Sequence, residues 1–102
     1  MKKVFISGKI TGEPIIRCLN KFYSSRREIL DLLNIDMYNI IIPLHLRKIS
    51  FCISHERAMY ICIKELKTCT HIYMLKDWKE SKGAMIEHEF AKENNIEIIY
   101  QK

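Results

Sequence analysis

Apolar and polar positions along the chain change period in a way that predicts alternating strands and helices. Lys3 to Ser7 is β-prone and closes on Gly8, which predicts a first strand followed by a turn. From Glu13 to Leu33 the apolar residues recur every three or four positions, the spacing of an amphipathic helix. Pro14 suits the first turn of this helix, and Asn34 suits its end.

The middle of the chain is less regular. Met37 to Ile42 is a nearly continuous apolar run that ends at a proline, which is typical of a buried parallel strand. The segment over 44–54 is ambiguous, and either Ser50 or Ser54 is a candidate N-cap. A second helix is predicted over about 55–69.

The last third repeats the strand–helix–strand pattern. His71 to Leu75 predicts a third strand, and Ser81 is a plausible N-cap for a third helix. That helix is expected to end near Asn94 or Asn95, which tolerate left-handed geometry. Ile96 to Tyr100 predicts the last strand.

This order of elements predicts a parallel sheet with helices on both faces. Ligands of such sheets bind beyond the carboxyl ends of the strands. Two loops therefore become candidates for a binding site, Gly8 to Gly12 after the first strand and Asp77 to Ala84 after the third.

Length and composition fit one ordinary globular domain over 1–102. The chain has 102 residues, of which 48% are hydrophobic and 28% charged. Its longest apolar stretch, Ile40 to Leu44, is far shorter than the roughly 20 residues of a membrane span. The apolar run near the start stops at Ser7, which favours a strand over a signal peptide. We therefore expect no membrane association.

Cysteines and histidines show no metal-binding spacing. The cysteines are Cys18, Cys52, Cys62 and Cys69, and the histidines are His45, His55, His71 and His88. Neither set forms a zinc pattern or a CxxC redox pair. We therefore expect free thiols in a reducing cytoplasm, no metal and no cofactor.

The net charge of +5 favours an anionic partner, either a phosphorylated small molecule or a nucleic acid. A general bias toward lysine explains the same surplus without a selected binding surface. The alternating basic and aromatic pattern of single-strand binders is absent from the sequence, so nucleic acid is the weaker choice.

The start of the third helix is a candidate phosphate site. Its unpaired N–H groups and positive dipole end favour an anion, and the Ser81 hydroxyl adds a donor. Gly83 and Ala84 leave the amides open to a ligand. Tight packing of the helix start against the sheet explains Gly83 equally well.

Glu87 is the candidate functional carboxylate. It lies one turn beyond Gly83, about 6 Å along the axis, and shares a stripe with Ala91 that faces the sheet. Such a carboxylate is either paired with a nearby lysine, the ordinary structural explanation, or catalytic. Glu89 lies on the opposite side of the helix, and His88 could contact a ligand or be satisfied within the core.

Gly8, Lys9, Ile10, Thr11 and Gly12 form too short a glycine pattern for a phosphate loop, and alone they indicate a turn. At the carboxyl end of the first strand, the Lys9 ammonium and the Thr11 hydroxyl would face the same crevice as Ser81. Trp78 could stack on a base or anchor its loop to the core.

These residues together resemble a known family. The start, Val4-Phe5-Ile6-Ser7-Gly8-Lys9-Ile10-Thr11-Gly12, and the later Trp78, Ser81, Gly83-Ala84, Glu87 and Ala91 resemble the nucleoside 2-deoxyribosyltransferase-like superfamily. The nearest group consists of small, mostly uncharacterised bacterial and phage proteins with a W-x-x-S-x-G-A-x-x-E pattern. The 2′-deoxynucleoside 5′-phosphate N-hydrolases are more distant.

The resemblance implies a flavodoxin-like (Rossmann-like) three-layer α/β/α fold with a four- to five-stranded parallel sheet, usually dimeric. It implies that Glu87 attacks C1′ of a (deoxy)nucleoside or its 5′-monophosphate and displaces the base, as in retaining glycosidases. Ser81 would then hold the 5′-phosphate, and the turn from Gly8 to Thr11 would line the sugar and phosphate site. Such a chain is an N-glycosidase or a deoxyribosyltransferase.

The chain departs from this family where relatives carry two aspartates eight residues apart. Cys62 and Thr70 stand at those positions, Phe5 replaces a tyrosine, and Lys9 replaces a serine or proline. Losing an aspartate that protonates the departing base removes roughly 10²- to 10⁴-fold in rate. The alternative function is therefore a weak or inactive nucleotide-binding module that senses or sequesters its ligand.

Overall fold

A computed structural model describes residues 2–10, 12–43 and 55–102 of the chain. The described strands are β1 (Val4–Ser7), β2 (Ile40–Ile41), β3 (His71–Met74) and β4 (Glu97–Tyr100). The described helices are α1 (Ile15–Leu33), α2 (His55–Leu66) and α3 (Lys82–Glu93). Short 3₁₀ turns lie at Met37–Asn39 and Trp78–Glu80.

The described strands form one parallel sheet in the order β2-β1-β3-β4. Strand β1 is central and pairs along its length with β3, from Val4 opposite His71 to Ser7 opposite Met74. This order matches the first four strands of the flavodoxin-like arrangement, whose ligand site lies at the carboxyl ends of β1 and β3. The expected α/β fold class is confirmed.

Alternation along β1 decides which helix covers which side chain. Val4 and Ile6 pack with Phe22 of α1 on one face of the sheet. Phe5 points to the other face and packs with the buried residues of α2 and α3. The sheet therefore lies between α1 on one side and α2 with α3 on the other, which makes three layers.

The helix ends follow the residue types that predicted them. Asn34 ends α1 in the left-handed conformation, with φ of 50°, and Ser81 caps α3. Helix α2 stops at Leu66 rather than near residue 69. Helix α3 ends at Glu93, and Asn95, one of the two residues predicted to end it, is left-handed with φ of 58°. Within the described ranges, no helix combines the length and apolarity needed to cross a membrane.

The second strand is much shorter than the sequence predicts. Met37 begins a 3₁₀ turn, and only Ile40 and Ile41 pair with β1. An apolar run predicts burial without fixing the backbone, and Met37 and Tyr38 are in fact exposed. The expectations for 44–54, with the caps Ser50 and Ser54, lie outside the described residues.

The close approach of Leu75, just after β3, to the end of β1 restricts position 8 to glycine. A Cβ atom at this position would lie 2.5 Å from Leu75 Cδ1 and 2.9 Å from Leu75 Cβ. The Leu75 N–H donates to the Ser7 carbonyl at 2.8 Å, so the backbone there cannot move without losing a sheet hydrogen bond. Position 8 therefore has no room for a side chain.

Gly8→Ala is expected to lower the free energy of unfolding by about 1–3 kcal/mol, the usual cost of overpacking. Urea unfolding measures this change. Gly83→Ala is the matched control, because its new methyl group would meet the flexible Met59 side chain at 3.3 Å. A Gly8→Ala variant as stable as the wild type would contradict the close approach.

Candidate functional site

The site is built on the last residue of β1. Ser7 shares a sheet face with Phe5, so its side chain points toward α3. There its hydroxyl donates a hydrogen bond of 2.5 Å to Glu87 Oε1, and both residues are buried. The alternation of side chains along β1 points Ser7 toward α3, and Glu87 lies on the face of α3 that points toward the sheet. A hydroxyl and a carboxylate therefore meet at the carboxyl edge of the sheet.

Glu87 is 5% exposed, and the Ser7 hydroxyl is its partner rather than a lysine of the described residues. Burial raises the pKa of the Glu87 carboxyl to about 7, against a smaller lowering by the Ser7 hydrogen bond. No fully buried side-chain oxygen of the described residues lacks a hydrogen bond. Oε1 accepts the Ser7 hydrogen bond, so Oε2 is the oxygen that this bond leaves open.

The start of α3 forms the rim beside this carboxylate. The Ala84 N–H donates to Ser81 Oγ at 3.2 Å, which leaves the Ser81 hydroxyl hydrogen free to donate to a ligand. The N–H groups of Lys82 and Gly83 belong to the first turn and have no acceptor within the helix. Together these donors can hold an anionic group.

Lys21 ties the two candidate loops together. Its ammonium donates to Asp77 Oδ2 at 2.5 Å, to the Lys9 carbonyl at 2.7 Å and to Glu13 Oε2 at 3.1 Å. Asp77 Oδ1 in turn accepts from the Lys9 N–H at 3.0 Å. Both backbone groups of Lys9 are therefore held, which fixes the loop after β1 against the loop after β3.

The charge state of Lys21 suits this role. Burial alone would lower the pKa of its ammonium, but the hydrogen bonds to Asp77 and Glu13 outweigh burial and raise the pKa. Lys21 stays charged, and each of its three protons has an acceptor.

A cavity of about 420 Å³ opens between these loops and α2. It is lined by Gly8, Lys9, Ile10, Pro43, Ala58, Met59, Cys62, Glu80, Ser81, Lys82, Gly83, Ala84 and Glu87. The structure thus brings together the candidate residues of both loops with Glu87. Thr11, which the sequence also predicts at this site, lies outside the described residues.

Trp78 and His88 lie outside the cavity lining. Their rings stack at 4.1 Å between centroids, and His88 Nε2 is 2.7 Å from the Tyr100 hydroxyl. Trp78 therefore contacts α3 and β4 and anchors its loop, with His88 stacked on one side of its ring. Burial is the main cause that lowers the pKa of His88.

The two positions where relatives of the resembled family carry aspartates lie apart. Cys62 is buried on α2 and lines the cavity. Thr70 lies at the amino end of β3, where its hydroxyl accepts from the Lys3 N–H at 2.9 Å and contacts His71 Nδ1 at 2.6 Å. Of these two positions, only Cys62 lines the cavity and can contact a ligand beside Glu87.

Comparison with known proteins identifies the family of this chain. The model of the family described as domain of unknown function DUF4406 matches residues 2–100. The chain belongs to the DUF4406 family. No curated protein matches it.

Sequence reasoning missed two parts of the DUF4406 site. Ser7 lies in an otherwise apolar strand. Because it follows Phe5 by two positions, its side chain lies on the same face of the strand as Phe5, and this spacing was the signal that could have identified it. The Lys21–Asp77 pair joins residues far apart in sequence, and no local pattern indicates it. Within the described residues, no group of three histidine, cysteine or acidic side chains could hold a metal ion.

Proposed function

We propose that this DUF4406 chain is an N-glycosidase or deoxyribosyltransferase for a (deoxy)nucleoside or its 5′-monophosphate, with Glu87 as the nucleophile. The observation that carries the proposal is the Glu87 carboxylate, which is buried and yet lines a cavity. The cavity lies at the carboxyl ends of β1 and β3, where sheets of this order bind ligands.

The chemistry uses the two carboxylate oxygens differently. The Ser7 hydroxyl holds Oε1 and fixes the orientation of the carboxylate. Oε2 attacks C1′ of the sugar and forms a glycosyl ester on Glu87, while the bond from C1′ to the base breaks, its electron pair moves onto the base, and the base takes up a proton from the solvent. Water then hydrolyses the ester, or a second base accepts the sugar.

The rim supplies the binding energy for a phosphate. The Ser81 hydroxyl and the N–H groups of Lys82 and Gly83 converge at the start of α3. Glu87 lies one turn further along the helix, about 6 Å along its axis. A 5′-phosphate at the rim thus leaves the sugar beside the carboxylate.

A second candidate is a nucleotide-binding module without turnover. The burial of Glu87 favours it, because burial raises the pKa of the carboxyl to about 7 and so keeps part of it protonated at neutral pH. A protonated carboxyl is not a nucleophile. The buried Cys62 in the cavity wall also supplies no strong acid for the departing base.

A panel of deoxynucleosides and their 5′-monophosphates separates the two candidates. We expect chromatography to show free base from at least one 5′-monophosphate, and the same compound to raise the melting temperature. Ligand at 100 times its Kd stabilises the native state by about 2.7 kcal/mol. A raised Tm without base would favour the binding module, and neither result from any compound would contradict both candidates.

A further inference from the structure

Among the described residues, the Glu87 carboxylate at the floor of the cavity has no positively charged partner when it is ionised. Glu87 is buried, its hydrogen-bond partner is the neutral Ser7 hydroxyl, and the described lysines and arginines form no ion pair with it. The α2 residues Ala58 and Met59 add apolar surface to the same cavity. A buried carboxylate in such surroundings is stabilised by any positive charge that a ligand brings next to it.

The rim of the same cavity has the opposite charge. Lys9 and Lys82 lie there with the opening turn of α3, whose dipole is also positive. Glu80 contributes one exposed carboxylate among them. The complementary ligand is therefore negative at the end held by the rim and positive at the end that reaches Glu87.

The described residues of the cavity wall are poorly equipped to protonate a departing base. A neutral base must take up a proton as its bond to C1′ breaks, and a general acid normally supplies that proton. Next to the apolar residues of α2, the described lining offers the thiol of Cys62, and thiols are weaker acids than carboxyl groups. Glu80 is the lining carboxylate besides Glu87, and it lies exposed at the rim.

We infer that the preferred substrates are nucleotides whose base already carries a positive charge on the ring attached to C1′, such as an N-alkylated purine or a pyridinium. This inference rests on the proposed function of Glu87 as nucleophile. It adds the chemical class of the leaving group, which the charge distribution of the cavity selects.

The reaction of such a substrate balances without a general acid. Glu87 Oε2 forms a bond to C1′, and the electron pair of the bond from C1′ to nitrogen moves onto the base and neutralises its charge. The base leaves as a neutral molecule. Water then cleaves the glycosyl ester, which returns the carboxylate, releases the sugar phosphate with a new hydroxyl and gives one proton to the solvent.

Guanosine 5′-monophosphate and its N7-methyl derivative form a matched pair, because they share sugar and phosphate and differ in one methyl group and one charge. We expect the full chain to release 7-methylguanine at least roughly 10²-fold faster than guanine, the lower bound of a general-acid contribution. Nicotinamide mononucleotide tests the pyridinium source in parallel. Whichever of the two cationic bases is released identifies the source.

Binding to Glu87→Gln separates this inference from the proposed function. The wild type should bind the methylated nucleotide more tightly than guanosine 5′-monophosphate, and the variant should lose that preference. Equal release of guanine and 7-methylguanine would overturn the inference and leave the proposed function standing. A Glu87-dependent binding preference without release from any nucleotide would support the charge selection and contradict the nucleophile, and equal affinities without release would overturn the inference.

Discussion

Glu87→Gln is expected to lower the rate of base release by roughly 10³-fold or more, the scale of effect seen when a catalytic nucleophile is removed. The amide is isosteric with the carboxyl but cannot form the glycosyl ester. The Ser7 hydroxyl can still donate to the amide oxygen, so the hydrogen bond that positions the side chain survives. The variant should therefore fold and bind while losing turnover.

Chromatographic initial rates and a thermal melt on the same samples check this expectation. Glu89→Gln is the matched control, because Glu89 lies on the same helix with its side chain exposed. It makes the same chemical change away from the cavity and should keep the wild-type rate. A Glu87→Gln variant within tenfold of the wild-type rate would exclude the carboxylate as nucleophile.

The second large effect is a loss of stability as the pH rises from about 4.5 to about 7. Burial raises the pKa of Glu87 from 4.5 to about 7 in the native state, so the native chain holds a proton that the unfolded chain has released. Where the native state binds more protons, the free energy of unfolding falls as the pH rises. The contribution is fully present below pH 4.5 and lost above pH 7.

This loss amounts to about 3 kcal/mol, from 1.36 kcal/mol for each pH unit of difference. Urea unfolding at a series of pH values measures it for the wild type and for Glu87→Gln. All other titrating groups are shared, so the difference between the two curves isolates Glu87. Parallel curves from pH 4 to pH 8 would show that the carboxyl titrates normally in the folded chain.

Much of the fold could be predicted from the sequence because local chemistry determines it. The left-handed end of α1 at Asn34 and the cap of α3 at Ser81 follow from side-chain types that suit those positions. The apolar run from residue 37 to 42 predicted burial correctly only in part. Whether such a run extends or turns depends on pairing with β1, and only Ile40 and Ile41 pair.

Part of the candidate site could likewise be predicted from the sequence, and part of it could not. The one-turn spacing of Gly83 and Glu87 placed the carboxylate on the inward face of α3, where the structure has it. Its partner could not be predicted, because Ser7 meets Glu87 only once α3 packs on the face that Ser7 shares with Phe5. Lys21 and Asp77 likewise meet only after the sheet brings the ends of β1 and β3 together.

The contact between Gly8 and Leu75 also bears on how this family can diverge. A Cβ at position 8 would enter the volume that Leu75 fills, with 2.5 Å between it and the nearest Leu75 carbon. A descendant with a larger residue at position 8 would require a smaller one at position 75 in the same lineage. Substitutions at positions 8 and 75 are therefore coupled. The smaller residue at position 75 has to arise before the larger residue at position 8.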